Sequence, residues 1–217
     1  MRDIFGDFTF RMIEMKYGKM LSYHLPEFHK IYETLQLHPE IIQAIETGGY
    51  DVFVDVGAYV GLFTIAASYN CKKVIAYEAS PFIFGILLYN TKFLKNVKCN
   101  YAWVGCDKSV PKIGKENNLY MTRVWETEEY NVPVVSLDKE LHWSSEWLYP
   151  KMLIKMDIEG SEYDALEGAT KLLKAPHIHW IVEIHEVPKL KLKEEMVLEY
   201  FKEREIIKIG DLFIYVK

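Results

Sequence analysis

The most informative chemical feature of the sequence is a pair of carboxylates in LIKMDIEGSEYDALEGA, residues 153 to 169. Asp157 and Glu159 follow a buried strand, and because strand side chains alternate between faces they point the same way. Ser161 can cap the helix that follows, with Asp164 in the capping-box position. Ligands of open α/β sheets bind at the carboxyl ends of parallel strands, so this acidic turn is a candidate site. Acids that only favour a helix N-terminus are the alternative.

A second candidate site combines a glycine turn with two acids. Asp55 lies at the end of the strand VFVDV, and Gly57 and Gly61 turn the chain into a helix. Their spacing, G-x-x-x-G, differs from the G-x-G-x-x-G of dinucleotide folds, and the preceding acid would repel a pyrophosphate. Glu78, in YEASP, lies about 20 residues beyond the turn, where an acid usually accepts both ribose hydroxyls. These residues predict a nucleoside cofactor without a pyrophosphate.

The stretch PHIHWIVEIHE adds an imidazole to the predicted site. By strand parity His177, His179, Glu183 and His185 share one face. The first two lie at the end of the strand away from the carboxyl edge, so we expect them to be structural. Glu183 and His185 can reach the site. If this strand neighbours the one that ends at Asp157, four polar groups meet: Asp157, Glu159, Glu183 and His185.

The elements that must position these residues alternate between strand and helix from residue 51 onward. This rhythm predicts a parallel sheet covered on both faces. The final EIIKIGDLFIYVK predicts an antiparallel hairpin, an order that is uncommon in dinucleotide folds. The predicted strands are VFVDV, KVIAY, VKCNYAWV, 152–157 and 178–184; the predicted helices are 60–70, 81–95, 161–173 and 189–203; and residues 107–137 are predicted to form a loop or hairpin excursion.

Residues 1–47 are predicted to be an aromatic-rich helical segment, separate from a cofactor-binding domain over residues 48–217. Apolar residues follow helical spacing behind Pro26 and behind Pro39, and Gly48 ends the second helix. The segment could close over an acceptor pocket, or it could simply cover the sheet. The aromatic residues that would supply the pocket surface are Phe5, Phe8, Phe10, Tyr17 and Tyr23.

Composition excludes several classes of function. The chain has 217 residues, half of them hydrophobic, and a net charge of −5, which disfavours nucleic acid or an anionic membrane as the main partner. Three cysteines without metal-ligand spacing indicate reduced thiols. The acidic N-terminus lacks the pattern of a secretion signal, and no apolar stretch suits a membrane span. We therefore expect a cytoplasmic protein.

The motifs together resemble the FkbM family of S-adenosylmethionine-dependent methyltransferases. The resemblance covers roughly residues 51–186 and rests on DVGAYVGLFT, YEASP, the Leu137-Asp138 step, KMDIEGSEYDALEGA and VEIHE. It implies an α/β class I methyltransferase fold, a Rossmann-like seven-stranded sheet with a C-terminal antiparallel hairpin. It also implies S-adenosyl-L-methionine as cofactor. The cofactor-binding positions that it implies are Asp55, Gly57, Ala58 and Gly61 at the amino-acid part, Glu78 and Ala79 at the ribose, Asp107 near the adenine, and Asp157.

Family members are mostly O-methyltransferases, so the resemblance implies a hydroxyl acceptor on a sugar or another small molecule. An alcohol needs a base within hydrogen-bond reach; His185 is the first candidate and Asp157 the second. Glu159 and Glu183 would complete the catalytic group. We assign no metal, although carboxylates plus imidazole could hold a divalent cation instead of forming a hydrogen-bonded network. The alternative functions are a nicotinamide-dependent oxidoreductase and a catalytically silent binding module of the same fold.

Overall fold

The computed structural model describes residues 9–24, 38–109, 132–141, 150–185, 194–209 and 213–217. Its centre is a seven-stranded sheet. The strands of this sheet are β3 (Val52–Val56), β4 (Lys73–Glu78), β5 (Val97–Tyr101), β8 (Met152–Met156), β9 (Ile178–Glu183), β10 (Ile206–Ile209) and β11 (Phe213–Val216). Their order across the sheet is β10-β11-β9-β8-β3-β4-β5. The strands from β9 to β5 in this order are parallel, and β11 runs antiparallel to both β9 and β10.

The helices and two small sheets surround this central sheet. Two strand pairs lie outside it: the antiparallel β1 (Thr9–Met15) and β2 (Gly18–His24), and the parallel β6 (Trp103–Val104) and β7 (Val134–Val135). The α-helices are α1 (Pro39–Thr47), α2 (Leu62–Ser68), α3 (Pro81–Thr91), α4 (Leu137–Glu140), α5 (Glu162–Glu167) and α6 (Glu194–Leu198). Short 3₁₀ turns occupy Leu172–Lys174 and Glu199–Phe201.

The predicted class I methyltransferase architecture is confirmed, including the parallel sheet and its terminal hairpin. The predicted strand VKCNYAWV is interrupted, because β5 ends at Tyr101 and β6 pairs with β7 in a separate small sheet. The predicted helix 161–173 ends at Glu167 and resumes as a 3₁₀ turn. Residues 110–131, most of the predicted excursion, lie outside the described residues.

Residues 9–24 form a hairpin, so the prediction of a helix is wrong for this part of the N-terminal segment. Ile13, Met15 and Tyr17 are buried, while Glu14 and Lys16 between them are exposed. Alternation with a period of two is typical of a strand. The abundance of aromatic residues made this pattern hard to recognise in the sequence. The predicted helix behind Pro39 is confirmed as α1, and the one behind Pro26 lies outside the described residues.

The side chain of Asn90 in α3 fastens the hairpin to the rest of the fold. Its amide oxygen accepts a hydrogen bond from Leu21 N at 2.7 Å. Its amide nitrogen donates to Leu21 O at 2.9 Å and to Val60 O at 2.7 Å, in the glycine turn. The hairpin is therefore tied to the same turn that the sequence assigns to cofactor binding.

Apolar cores lie on both faces of the sheet, which explains why its central strands are almost entirely apolar. Val52, Val54 and Val56 of β3 belong to one core, beneath α5 and the 3₁₀ turns. Phe53 belongs to the other core, together with residues of the hairpin, α1 and α2. Asp55 is the polar exception in β3 and is completely buried.

No helix in the described ranges is long and apolar enough to cross a bilayer. Cys71, Cys99 and Cys106 are free thiols, as the sequence predicts.

The turn after β3 approaches the end of β8 so closely that only glycine fits. Gly57 has φ +77°, and a Cβ atom there would overlap the backbone oxygen of Asp157. Gly49 offers a matched comparison, because its φ is also positive, at +63°, but a Cβ atom there would meet no other atom within 4 Å.

We expect Gly57→Ala to lower the free energy of unfolding by at least about 2 kcal/mol. The alanine would have to adopt a strained positive φ, and the backbone of Asp157 would have to move away from its Cβ. Gly49→Ala should cost only about 1 kcal/mol, the cost of the left-handed conformation. Urea unfolding of both variants measures the difference. Equal losses would contradict the close approach of the two strand ends.

Candidate active site

A cavity of about 300 Å³ opens at the carboxyl ends of β3, β4 and β8. It lies where the strand order reverses, since β4 and β5 follow on one side of β3 and β8 and β9 on the other. Ligands of open α/β sheets bind at such a switch point. The glycine turn and Glu78 line part of the cavity, and Asp157 and Glu159 line another part.

The glycine turn presents its backbone to the cavity. Gly57 N and Ala58 N each donate a hydrogen bond of 3.0 Å to Tyr77 O, which fixes the turn against the end of β4. Gly57 and Ala58 line the cavity, whereas Gly61, with φ +100°, forms the N-cap of α2. Tyr59 also adopts a left-handed conformation, with φ +51°. The tight turn that the glycine spacing predicts is thus formed.

Asp55 lies beneath the glycine turn rather than on the cavity wall. It is fully buried, and its Oδ2 accepts a hydrogen bond from Thr64 Oγ1 at 2.6 Å. Its Oδ1 lies 3.4 Å from Nζ of Lys155. Burial raises the pKa of Asp55, against the lowering effect of the Lys155 charge. Asp55 does not line this cavity, so its contact with the amino-acid part of a cofactor stays a prediction.

Lys155 is the site residue that sequence reasoning missed. It is 2% exposed, yet its ammonium lies 2.8 Å from Gly57 O and 3.4 Å from Asp157 Oδ2, in addition to Asp55. Burial alone lowers the pKa of Lys155, but the charges of Asp157 and Asp55 outweigh it and raise the pKa. Strand parity could have found it, because Lys155 and Asp157 are two positions apart and share a face.

Glu78 lines the cavity at the end of β4 and is 8% exposed. Its Oε1 accepts a hydrogen bond from Ser80 N at 2.8 Å, and its Oε2 accepts one from Tyr59 N at 2.9 Å. Burial raises the pKa of Glu78, while these backbone hydrogen bonds oppose the shift. The carboxylate is therefore fixed in orientation, and each oxygen retains acceptor capacity for a ligand hydroxyl.

The wall next to Glu78 and Ala79 is aromatic rather than acidic. Trp103 of β6 lines the cavity, and among the described residues its buried Nε1 has no hydrogen-bond partner. Asp107, predicted to lie near an adenine, does not line this cavity. It faces a separate shallow cavity, where its carboxylate pairs with Lys139. A position of Asp107 near the adenine therefore stays a prediction.

The turn after β8 brings Asp157 and Glu159 to the cavity wall, as predicted. Its fold does not depend on the predicted capping box, because the side chain of Ser161 makes no capping hydrogen bond. Instead Glu162 Oε1 accepts hydrogen bonds of 3.2 Å from both Ile158 N and Gly160 N. Glu162 is 2% exposed, so a buried carboxylate organises the acidic turn.

The structure brings His185 and Glu183 together with the acidic turn, as the sequence predicts for neighbouring strands. Nδ1 of His185 lies 2.9 Å from Glu162 Oε1. Its Nε2 lies 3.5 Å from Glu183 Oε1 and 3.7 Å from Glu159 Oε2. One atom each from Asp157, Glu183 and His185 lie within 4.8 Å of one another. His185 and Glu183 stand behind Asp157 and Glu159 and do not line the cavity themselves.

The charges in this cluster favour Asp157 over His185 as the base. Burial lowers the pKa of His185, but the hydrogen bond to Glu162 and the surrounding carboxylates outweigh it and raise the pKa to about 9. Burial and the charge of Asp157 raise the pKa of Glu183 to about 8. Burial also raises the pKa of Asp157, but Lys155 and His185 more than offset this and lower it. At neutral pH His185 is protonated and cannot accept a proton, whereas Asp157 is ionised.

His38, at the start of α1, is a second cavity residue that sequence reasoning missed. It has φ +50°, a conformation that is strained for a residue with a side chain, and its ring packs 4.5 Å from that of Phe213. Burial lowers the pKa of His38, so its imidazole is neutral at pH 7. No periodicity in the sequence indicates this position, because the residue lies at the junction before a helix.

Comparison with known proteins agrees with this geometry. The model of the methyltransferase FkbM domain matches residues 55–205. No curated protein matches the chain in sequence at a significant level.

Several solved structures are similar to this chain at low sequence identity. The structure of methyltransferase FkbM from Methylobacillus flagellatus KT is 17% identical, with a TM-score of 0.52, and the match covers 88% of this chain and 52% of that one. This chain thus spans about half the length of that protein. Precorrin-6y C5,15-methyltransferase from Geobacter metallireducens GS-15 is 14% identical, with coverages of 83% and 85% and a TM-score of 0.48. N-methyltransferase NodS from Bradyrhizobium japonicum WM9 is 12% identical, with coverages of 84% and 92% and a TM-score of 0.48.

The family match includes the glycine turn, Glu78, the acidic turn and His185, and it extends over more than half of the chain. The protein therefore belongs to the FkbM methyltransferase family, whose methyl donor is S-adenosylmethionine.

Proposed function

We propose that this protein transfers a methyl group from S-adenosylmethionine to a hydroxyl group of a small-molecule or glycan acceptor. The observation that carries the proposal is the shared cavity, which has a fixed ribose acceptor, Glu78, on one part of its wall and two carboxylates, Asp157 and Glu159, on another. The cavity has to hold both the cofactor and the acceptor while the methyl group is transferred.

The cavity residues fit the nucleoside part of the cofactor. Glu78 is held by two backbone N–H groups and can accept hydrogen bonds from both ribose hydroxyls. The unpartnered Nε1 of Trp103, judged within the described residues, offers a buried donor to a heterocycle, and its indole offers a flat surface. Gly57 and Ala58 line the cavity, so the methionyl part can lie against the glycine turn.

When bound, S-adenosylmethionine supplies an electrophilic methyl group on a sulfonium cation. The ionised Asp157 favours positive charge at this part of the cavity. Lys155, which also lines the cavity, orients Asp157, so the carboxylate keeps one position while ligands exchange. His185 lies behind the same wall and contacts Glu162, so it also helps to fix the orientation of the acidic turn.

The acidic wall favours a hydroxyl acceptor over an amine. Nearby carboxylates raise the pKa of an amine and hold it as an ammonium ion, which has no lone pair to attack with. A hydroxyl group stays neutral and can donate its proton to Asp157 as the new bond forms. The net charge of −5 and this anionic wall disfavour a polyanionic nucleic acid as acceptor.

We also propose that the N-terminal segment borders the acceptor side of the cavity, next to a cofactor-binding domain over residues 48–217. His38 supports this proposal, because it lines the cavity. The aromatic residues named from the sequence give it less support: Tyr17 bonds to Glu46, Phe10 contacts Phe82, and the side chains of Phe5, Phe8 and Tyr23 lie outside the described part.

The direct test is transfer of a labelled methyl group. The purified protein is incubated with methyl-labelled S-adenosylmethionine and with separate panels of mono- and oligosaccharides, phenols, amines and transfer RNA. We expect label in hydroxyl acceptors, with an ether linkage identified by mass spectrometry and NMR. Label confined to amines or to RNA would overturn the O-methyl proposal. Tight cofactor binding without transfer to any panel would favour the alternative, a catalytically silent binding module.

Cofactor binding should stabilise the fold. At 100 times its dissociation constant, S-adenosylhomocysteine contributes about 2.7 kcal/mol to the free energy of unfolding. For a chain of this size, that corresponds to a rise in Tm of roughly 5 to 10 °C. Thermal unfolding with S-adenosylhomocysteine, and with NAD as the control, measures the effect. A shift with NAD alone would contradict the assignment of the cavity.

Glu78→Gln should weaken the binding of S-adenosylhomocysteine by roughly 10- to 100-fold, since it removes a charged acceptor whose hydrogen bonds are worth about 1.5 to 3 kcal/mol. The side chain keeps its size, so we expect the variant to fold. Calorimetry measures the affinity. Glu203→Gln, the same change on an exposed residue, is the control and should bind as the wild type does. Wild-type affinity in folded Glu78→Gln would remove Glu78 from the cofactor site.

A further inference from the structure

The two ring nitrogens of His185 face different carboxylates. Nδ1 of His185 is engaged by Glu162 at 2.9 Å. Nε2 faces oxygens of Glu183 at 3.5 Å and of Glu159 at 3.7 Å. A divalent cation bound by Nε2 and these carboxylates would replace the proton on Nε2, since metal ligands bind in their deprotonated form.

The spacing of these atoms suits a metal ion. The candidate ligand atoms of Asp157, Glu183 and His185 all lie within 4.8 Å of one another. In an octahedral site with bonds of about 2.1 Å, neighbouring ligand atoms are about 3 Å apart and opposite ones about 4.2 Å apart. Small rotations of partly exposed side chains would close the difference, because His185 is 22% and Glu183 is 12% exposed.

Glu162 gives this cluster the second layer of contacts that metal-binding histidines usually have. A histidine ligand donates its other ring N–H to a carboxylate, which fixes the tautomer and the orientation of the ring. Glu162 is 2% exposed and is itself held by Ile158 N and Gly160 N. The position of Nε2 is therefore determined by a buried and immobilised group.

A separate observation also points to a ligand at this end of the cavity. Ser161, between Glu159 and Glu162, lines the cavity and is 4% exposed. Within the described ranges its buried Oγ has no hydrogen-bond partner. Buried hydroxyl groups in folded proteins are nearly always paired, so this one indicates a polar ligand that approaches the acidic turn.

We propose that Asp157, Glu183 and His185 bind one divalent first-row transition-metal cation, with Glu162 as the residue that positions His185. Mixed carboxylate and imidazole ligands suit Mn²⁺ or Fe²⁺ better than Mg²⁺, which prefers oxygen ligands alone. Asp157 lines the cavity, so the cation would reach an acceptor hydroxyl and lower its pKa as a Lewis acid. This catalytic role rests on the proposed function, whereas the binding site does not.

The test measures metal binding without cofactor or acceptor. The full chain is stripped with EDTA and titrated with Mn²⁺, and free Mn²⁺ is followed by electron paramagnetic resonance, with Mg²⁺ as competitor. We expect one Mn²⁺ per chain, with Mg²⁺ competing only in large excess. Glu183→Gln and His185→Asn should each abolish stoichiometric binding. Glu162→Gln should weaken it by about 10- to 100-fold, as expected for a residue that orients a ligand.

Two controls separate the metal site from general effects. Glu203→Gln and His177→Asn change the same residue types away from the cluster and should bind Mn²⁺ as the wild type does. The thermal shift with S-adenosylhomocysteine shows whether each variant is folded. Sub-stoichiometric Mn²⁺ binding by the wild type, or full binding by folded His185→Asn, would overturn the proposal. Either result leaves the methyltransferase proposal standing, while a metal-binding protein that does not bind S-adenosylhomocysteine would refute that function instead.

Discussion

The buried ammonium group of Lys155 holds the ends of the two central strands in one arrangement. It lies 3.4 Å from Asp55 on β3 and 3.4 Å from Asp157 beyond β8, and it donates to Gly57 O at 2.8 Å. An unpaired charge at this depth would cost several kcal/mol, so the three partners have to stay together. The glycine turn and the acidic turn consequently meet at a fixed distance. That distance leaves no room for a Cβ on Gly57. The glycine at this position and the charge network around Lys155 therefore depend on one another.

This network leaves the cavity wall with more carboxylates than cations. Lys155 is shared between Asp55 and Asp157, while Glu159 and Glu183 add further acid nearby. Protonation removes part of this excess negative charge, because the pKa of Glu183 is raised to about 8. A site of this kind favours ligands that bring positive charge. The same physical condition thus underlies the proposed preference for a sulfonium donor and for a metal cation.

Glu162 links folding to function at the acidic turn. Its carboxylate accepts hydrogen bonds from the backbone N–H groups of Ile158 and Gly160. It also forms a hydrogen bond with His185. A buried acid can be kept here only because every one of these partners is present. The side chain that folds the turn therefore also decides which nitrogen of His185 faces the cluster.

The sequence by itself determined the order of strands and helices, the terminal hairpin, and the positions of Glu78 and Asp157 at strand ends, because backbone periodicity and turn residues are local properties. It failed for residues 9–24, where a period-two pattern forms a hairpin. Only the tertiary structure decided the role of Lys155. Its partner Asp55 is distant in sequence, and the two meet because β8 lies beside β3 in the sheet. Which charges share a low-dielectric site depends on strand order, and strand order is fixed by packing of the whole chain rather than by any local pattern.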